Sequence, residues 1–467
     1  VTPHPAMNLS SMVPEMLFFG AGLAVLIGGS FLPRRRQWCG RVAAAAAATA
    51  AGVLGGVQLA GSAGAAFGDT FAVDTATGVV RILTAVGTLL ALGVAGGEIA
   101  GSDRESETYA LMLFTATGVL VMAGAADLLV LATGYLLASI PLYALVGLAR
   151  TAGAAEAAMK TYLIGALFGI VLLAGVSILY ALAGTSWYPA LSDGLAAAPA
   201  PAVAAGLIGV LGGVLFKAGG VPAHFWVPDA AQGATGTAAL FATTVPKIGA
   251  LVALYRLVSA MPDTVGWPLL IAVLAVAGMT LGNLAAFWQR DPRRLLGWST
   301  VSQVGYLLVP VAVLGRSDLA LPALLLYLTA YTVTNTAAFA VSTALPGLRD
   351  LGDYRGLSRA RPWLAGALVV ALLGLLGTPP TGVFVGKLMT ATAAWDGGAA
   401  WLAVVVFVNT LISLFYYLRW IVPCYQRDGA EPGFTVRRWS AAVAVSAAAA
   451  SLLVGLGAGV LWPVLGG

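Results

Sequence analysis

Three lysines sit where so apolar a chain has least use for a charge. Lys217 falls in LGGVLFKAGGVPAHFWVPD, Lys247 in TTVPKIGALVALYR and Lys387 in LLGLLGTPPTGVFVGKLMT. A primary amine can hold a proton and give it up when desolvated, whereas arginine, with a pKa above about 12, keeps its charge. Only four lysines stand beside twenty arginines, and the arginines lie almost wholly in the polar connections. Lysine is kept for the interior, which suits the movement of protons or cations. Two further side chains are candidates beside them. His224 can pass protons or stand as a core histidine with its hydrogen bonds satisfied. Gln303, in WSTVSQVGY, can bridge a water wire or tie its helix to a neighbour.

The elements that must position these residues are helices, two of them broken. Between about Val203 and Phe216 there are roughly 14 helix-compatible residues, or about 21 Å, against a bilayer core of about 30 Å. Lys217 therefore arrives before the membrane has been crossed, and the helix breaks just after it at Gly219-Gly220 and Pro222. Such a break and such a charge are tolerated at membrane depth when they line an enclosed polar path. The plainer alternative is a lysine that snorkels from a helix end. The Lys387 segment repeats the arrangement, with a Gly377-Thr378-Pro379-Pro380 break and the lysine in its second piece. Lys247 lies about ten residues into an unbroken helix, with no interface in reach. Broken helices of opposite polarity in two halves are the pattern of an inverted-repeat transporter. Three lysines on one lateral line then form a candidate proton relay.

Composition fixes the class. Sixty per cent of the residues are apolar, nine per cent are charged, and mean hydropathy is +0.92. An all-α polytopic membrane protein is expected, with fourteen transmembrane helices in a single domain over 1–467. The segments are about 13–33, 42–61, 77–96, 107–123, 126–148, 160–183, the broken 203–229, 237–258, 266–287, 293–314, 319–344, the broken 363–394, 399–422 and 439–463. Helices one to three occupy 13–96, two inverted five-helix repeats occupy 107–258 and 266–422, and the last helix occupies 439–463. The first segment reads as a retained helix and not a cleaved signal, and Val1 is consistent with a non-standard start codon read literally.

Charge sets the orientation. Odd-numbered connections hold eighteen basic residues, among them Arg34, Arg35, Arg36, Arg290, Arg293, Arg294, Arg437 and Arg438. The even-numbered ones and the termini hold three, Arg81, Arg256 and Arg316. The positive-inside rule then puts both termini outside. Of the acids none is placed at mid-membrane, and Glu15 and Asp127 sit near helix ends. Trp298 and Trp420 read as interfacial anchors. Cys39 and Cys424 lack metal-ligand spacing, no nucleotide, iron–sulfur or haem motif is present, and a pI near 9.2 from membrane-flanking arginine gives no reason to expect nucleic acid.

The segments FKAGGVPAHFWVPDAAQGA, VPKIGALVALYR, NLAAFWQRDPRRLLGWSTVSQVGYLL, LGDYRGL, GTPPTGVFVGKL and VNTLISLFYYLR together resemble the antiporter-like membrane subunits of respiratory complex I and of multisubunit cation/proton antiporters. The resemblance covers nearly the whole chain. It implies a non-redox membrane-arm subunit of a proton-translocating NADH:quinone oxidoreductase in a bacterial inner membrane, with Lys217, Lys247 and Lys387 on the pumping positions. It further implies no cofactor in this chain, and quinone, NADH, FMN and iron–sulfur clusters in partner subunits. One departure stands out. The family reads Glu-Leu-x-Ser-x-Pro-Leu-Tyr in its fifth helix, with the glutamate paired to the lysine of the seventh; here Leu136 opens that run. A carboxylate about 5 Å away is worth roughly 3 kcal/mol at an effective dielectric of about 20. The alignment expects Leu136 to face Lys217 inside the protein. The alternatives are a subunit of a cation/proton antiporter or membrane-bound hydrogenase, or a scaffold that keeps the fold without pumping.

Overall fold

A computed structural model describes residues 7–61, 63–262, 264–426 and 435–466; Val1 lies outside them. Helices α1 (Val13–Phe31), α2 (Trp38–Leu59) and α3 (Thr75–Glu98) precede α4 (Glu105–Gly124), α5 (Leu128–Gly147) and α6 (Ala152–Ala183). After a short α7 (Tyr188–Leu195), the seventh crossing is split into α8 (Ala200–Ala218) and α9 (Trp226–Gly233). Then come α10 (Gly236–Ser259), α11 (Trp267–Ala286), α12 (Pro292–Ala312) and α13 (Ala320–Ala344). A one-turn α14 (Leu357–Ala360) leads to the second split crossing, α15 (Pro362–Leu376) and α16 (Gly382–Asp396), followed by α17 (Ala400–Tyr425), α18 (Arg438–Leu456) and α19 (Ala458–Leu465). Among the described residues, 13 helices are long and apolar enough to cross a membrane, and Pro362–Leu376 is a shorter apolar one. Counting the two broken crossings once each gives the fourteen expected from the sequence.

Local chemistry explains the boundaries. Asp74, Asp127, Thr151, Thr235 and Asp291 each accept a hydrogen bond from a backbone N–H of the turn they precede, so α3, α5, α6, α10 and α12 start capped. Gly219 (φ +78°) and Gly377 (φ +93°) end α8 and α15 in the left-handed region, where a Cβ would be strained. The enclosed centre is built on α10, α12 and α13, whereas α2, α6 and α18 turn most of their surface outward.

The all-α class holds, with one short hairpin in the connection before α3, where β1 (Gly64–Ala66) pairs antiparallel with β2 (Phe71–Val73). Several other expectations are corrected. The sixth crossing starts eight residues earlier than periodicity gave, because Thr151 caps it, so Lys160, one of the eighteen basic residues counted in the odd-numbered connections, lies well inside the helix. Arg81 is also no connection residue: it lies fully buried on α3. Its Nε donates to Glu15 Oε1 at 2.8 Å and its Nη2 to Glu15 Oε2 at 3.0 Å. Trp420 is no interfacial anchor, being fully buried edge-on to Tyr354 at 5.2 Å. Leu136 does not face inward: 40% of it is exposed, on the same outward stripe of α5 as Leu129 and Ile140.

Candidate functional site

Lys217 and Lys247 flank the first helix break. Lys217 occupies the last turn of α8, whose end is closed by the Gly219 and Gly220 N–H groups donating to Leu215 O at 2.8 Å each. The Trp226 indole N–H reaches back from α9 to Phe216 O at 2.9 Å, so the break is braced by a buried aromatic. Lys247 comes from the middle of α10. A Cβ on Gly219 would lie 3.4 Å from the Lys247 ammonium and 2.7 Å from Val227 Cγ2, so the backbone of the break approaches the amine as only glycine allows. Both side chains are fully buried, and neither ammonium has a hydrogen-bond partner among the described residues. Aromatic rings take that place: Tyr135 lies 5.4 Å and Tyr143 5.9 Å from Lys217 Nζ, and Trp226 lies 5.9 Å from Lys247 Nζ.

Lys387 meets the second break differently. It projects from α16 back to the end of α15, where Nζ donates to Leu376 O at 2.9 Å and Leu375 O at 3.2 Å. Those are orphan carbonyls at the negative end of a half-helix, the place where a cation is favoured. The Tyr306 ring stands 4.0 Å from the same ammonium. Gln303 joins this cluster. Its Nε2 donates to Leu375 O at 2.8 Å, and its Oε1 accepts from Tyr327 at 2.5 Å. Gln303 thus shares an acceptor with Lys387.

Between the two breaks runs a set of polar contacts that sequence reasoning missed. The Tyr331 hydroxyl donates to Thr243 O at 2.9 Å and lies 3.2 Å from the Thr300 hydroxyl, which can donate to it, and Asn335 Nδ2 donates to Thr244 Oγ1 at 3.0 Å. Thr243 lies one turn before Lys247 and Thr300 one turn before Gln303. The signal was present in the sequence: Tyr327, Tyr331 and Asn335 recur every four residues, on one face of an otherwise apolar helix. His224 stands apart from this set. It is 2% exposed, in the irregular stretch between α8 and α9, against Phe225 (4.3 Å) and Trp298 (5.5 Å). It lies near the Pro222 backbone without closing a hydrogen bond of good geometry, and no bond joins it to a lysine among the described residues.

On the arginine-rich side a cavity of about 600 Å³ opens beside α9, lined among others by Glu156, Lys160, Asp229 and Arg294. Asp229 accepts from Lys160 at 2.9 Å and from Arg294 at 2.5 Å, which fastens α9 to α6 and α12. Among the described residues no group of three His, Cys, Asp or Glu side chains is arranged to hold a metal ion.

Comparison with known proteins agrees with this architecture. Residues 125–413 match the family described as NADH:quinone oxidoreductase/Mrp antiporter, transmembrane. The chain is 66% identical over 470 residues to NADH-quinone oxidoreductase subunit N of Mycobacterium sp. (strain JLS), covering 100% of both chains. It is 50% identical over 461 residues to NADH-quinone oxidoreductase subunit N 1 of Streptomyces griseus, covering 98% of each. Among solved structures, a chain of respiratory complex I from Thermus thermophilus with bound aureothin superposes with a TM-score of 0.84 at 30% identity, covering 97% of this chain and 100% of that one. A chain of the Mrp complex from Dietzia sp. shares the fold, with a TM-score of 0.84 at 22% identity and coverage of 98% and 97%.

Proposed function

The chain belongs to the NADH:quinone oxidoreductase/Mrp antiporter transmembrane family, and from that premise we propose that it is a membrane-arm subunit of a complex I-like NADH:quinone oxidoreductase, moving protons across the membrane along Lys217, Lys247 and Lys387. The observation that carries this reading is the placing of all three amines at the two helix breaks, with Tyr331, Thr300 and Gln303 between them. An amine beside a broken helix exchanges one buried contact for another as it gains or loses a proton, which a fixed guanidinium does not do. Gln303 and Tyr327 hold the acceptor that Lys387 uses, and so keep the second break in register with the relay. The two breaks act as equivalent centres of inverted halves, and the cavity beside Asp229 gives water access from the arginine-rich side. That side is the cytoplasmic one, with both termini on the outer face of a bacterial inner membrane.

Electron transfer takes place elsewhere in the assembly. NADH, FMN, iron–sulfur clusters and quinone are held by partner subunits, and this chain contributes membrane passage alone. High identity to subunit N relatives along the whole length favours this over a cation/proton antiporter or a hydrogenase. Two experiments test the proposal. Purified from native membranes, the chain should bring redox subunits with it, identified by mass spectrometry; isolation as a monomer that alone exchanges protons in liposomes would sink the subunit reading. Lys247→Ala or Lys387→Ala should leave assembly largely intact and depress NADH-driven proton translocation.

A further inference from the structure

Lys217 lacks the partner its burial demands. It is fully enclosed, and among the described residues its ammonium donates no hydrogen bond and takes part in no ion pair. What surrounds it is aromatic. Tyr135 and Tyr143, about two turns apart on α5, present their rings to Nζ at 5.4 Å and 5.9 Å, and its own neighbour Phe216 on α8 does so at 5.8 Å, all within the range of about 6 Å over which a ring quadrupole attracts a cation.

The rings are held in that attitude by contacts that do not involve the lysine. The Tyr135 hydroxyl donates to Gly165 O of α6 at 3.2 Å, and Tyr135 is 1% exposed. Tyr143 is braced edge-on by Tyr162 of α6, with centroids 6.0 Å apart at 82°, and by Phe216 at 6.3 Å and 67°. The one charged group that faces Lys217 from α10 is Lys247, another cation. From α5 the titratable groups against it are Tyr135 and Tyr143, and Tyr162 of α6 lies behind Tyr143.

We propose that the faces of Tyr135 and Tyr143, with Phe216 beside them, form an aromatic cage that is the cation partner of Lys217 and positions it for proton transfer. Neutral rings do in this chain what a paired carboxylate would do, without adding a counter-charge that must be separated again when the proton leaves. The tyrosines are positioning residues, acting through their faces and not their hydroxyls. This inference rests on the proton-pumping reading of the lysine line.

The test uses inverted membrane vesicles that contain the assembled complex, with protons taken up per electron measured against pH. Tyr135→Phe with Tyr143→Phe keeps both faces, gives up the Tyr135 bond to Gly165 O, and should displace the profile far less than the leucine pair does. Tyr135→Leu with Tyr143→Leu removes them and should displace the profile toward lower pH, by about 0.4–1.5 units per ring, a roughly two- to thirtyfold change in proton affinity. If the leucine pair does not assemble, phenylalanines fluorinated stepwise at 135 and 143 keep the shape while weakening the faces, and the displacement should grow with each fluorine. An unmoved profile in the leucine or fluorinated variants overturns the cage. So does a phenylalanine pair displaced as far as the leucine pair, which would assign the role to the hydroxyls. Lys217→Ala separates the two levels. Loss of pumping there with unmoved cage variants rejects the cage alone, and intact pumping there rejects the lysine line and the cage with it.

Discussion

Removing Arg81 should be among the most damaging single changes outside the lysine line. Its guanidinium is fully buried and forks onto both oxygens of Glu15, which is itself 3% exposed. Its remaining donors reach Gln58 Oε1 at 2.5 Å and Ser11 O at 2.8 Å, so one side chain ties α1, α2 and the turn before α1 to α3. Arg81→Leu leaves a buried carboxylate without its cation, which typically costs about 3–5 kcal/mol. Removing both partners is far milder, because apolar side chains of similar size often replace a buried pair at little cost. Unfolding free energy in mixed detergent micelles should therefore fall by about 3–5 kcal/mol in Arg81→Leu and by about 1 kcal/mol or less in Glu15→Leu with Arg81→Leu. A single variant within about 1 kcal/mol of wild type, or a double variant worse than the single one, would refute the argument.

Three further outcomes are expected. Gly219→Ala forces a left-handed backbone on alanine and drives its Cβ against Val227. It should cost about 1–2 kcal/mol in the same unfolding assay and lower coupled pumping; a silent variant would count against a close approach at the break. Burial pushes the Asp74 carboxyl up, but Arg256 at 2.6 Å and the hydrogen bonds from Thr77 outweigh it and hold it below its ordinary 3.8. That stabilisation is present above the ordinary value and lost as pH falls through the lower folded one, so Asp74→Asn should flatten the acid limb of a stability–pH curve there, and an unchanged limb would exclude the pair. Leu136→Glu, placed on an exposed stripe, should show a coupling to Lys217→Ala of no more than about 0.5 kcal/mol in a double-mutant cycle, while a large coupling would restore the inward alignment.

Residue type and spacing carried much of this molecule. Apolar length gave the fourteen crossings, Gly and Pro gave the two breaks, and the contrast between lysine and arginine singled out the three amines. What one sequence could not give was rotation about a helix axis. Leu136 and Tyr135 are neighbours in the chain, and only packing against α6 and α8 turns the tyrosine toward Lys217 and the leucine outward. Arg81 was misplaced for the same reason, since its partners Glu15, Gln58 and Ser11 are far away in sequence. Trp420 lies near a helix end, where an anchor is the usual expectation, and the loop that buries it against Tyr354 has no helical period to reveal it. Gln303 was a candidate from its polarity alone, yet the carbonyl it shares with Lys387 required the folded second break.

The central claim is that these amines work by gaining and losing a proton, and Lys247→Arg tests it most directly. The assembled complex, reconstituted in liposomes, is driven by NADH and a quinone, and protons translocated per electron are measured for wild type and variant at matched electron-transfer rates. Arginine keeps the charge of Lys247 beside Gly219 but cannot release its proton, so the account predicts a clear fall in the proton-to-electron ratio. An unchanged ratio would contradict it and leave Lys247 a fixed charge.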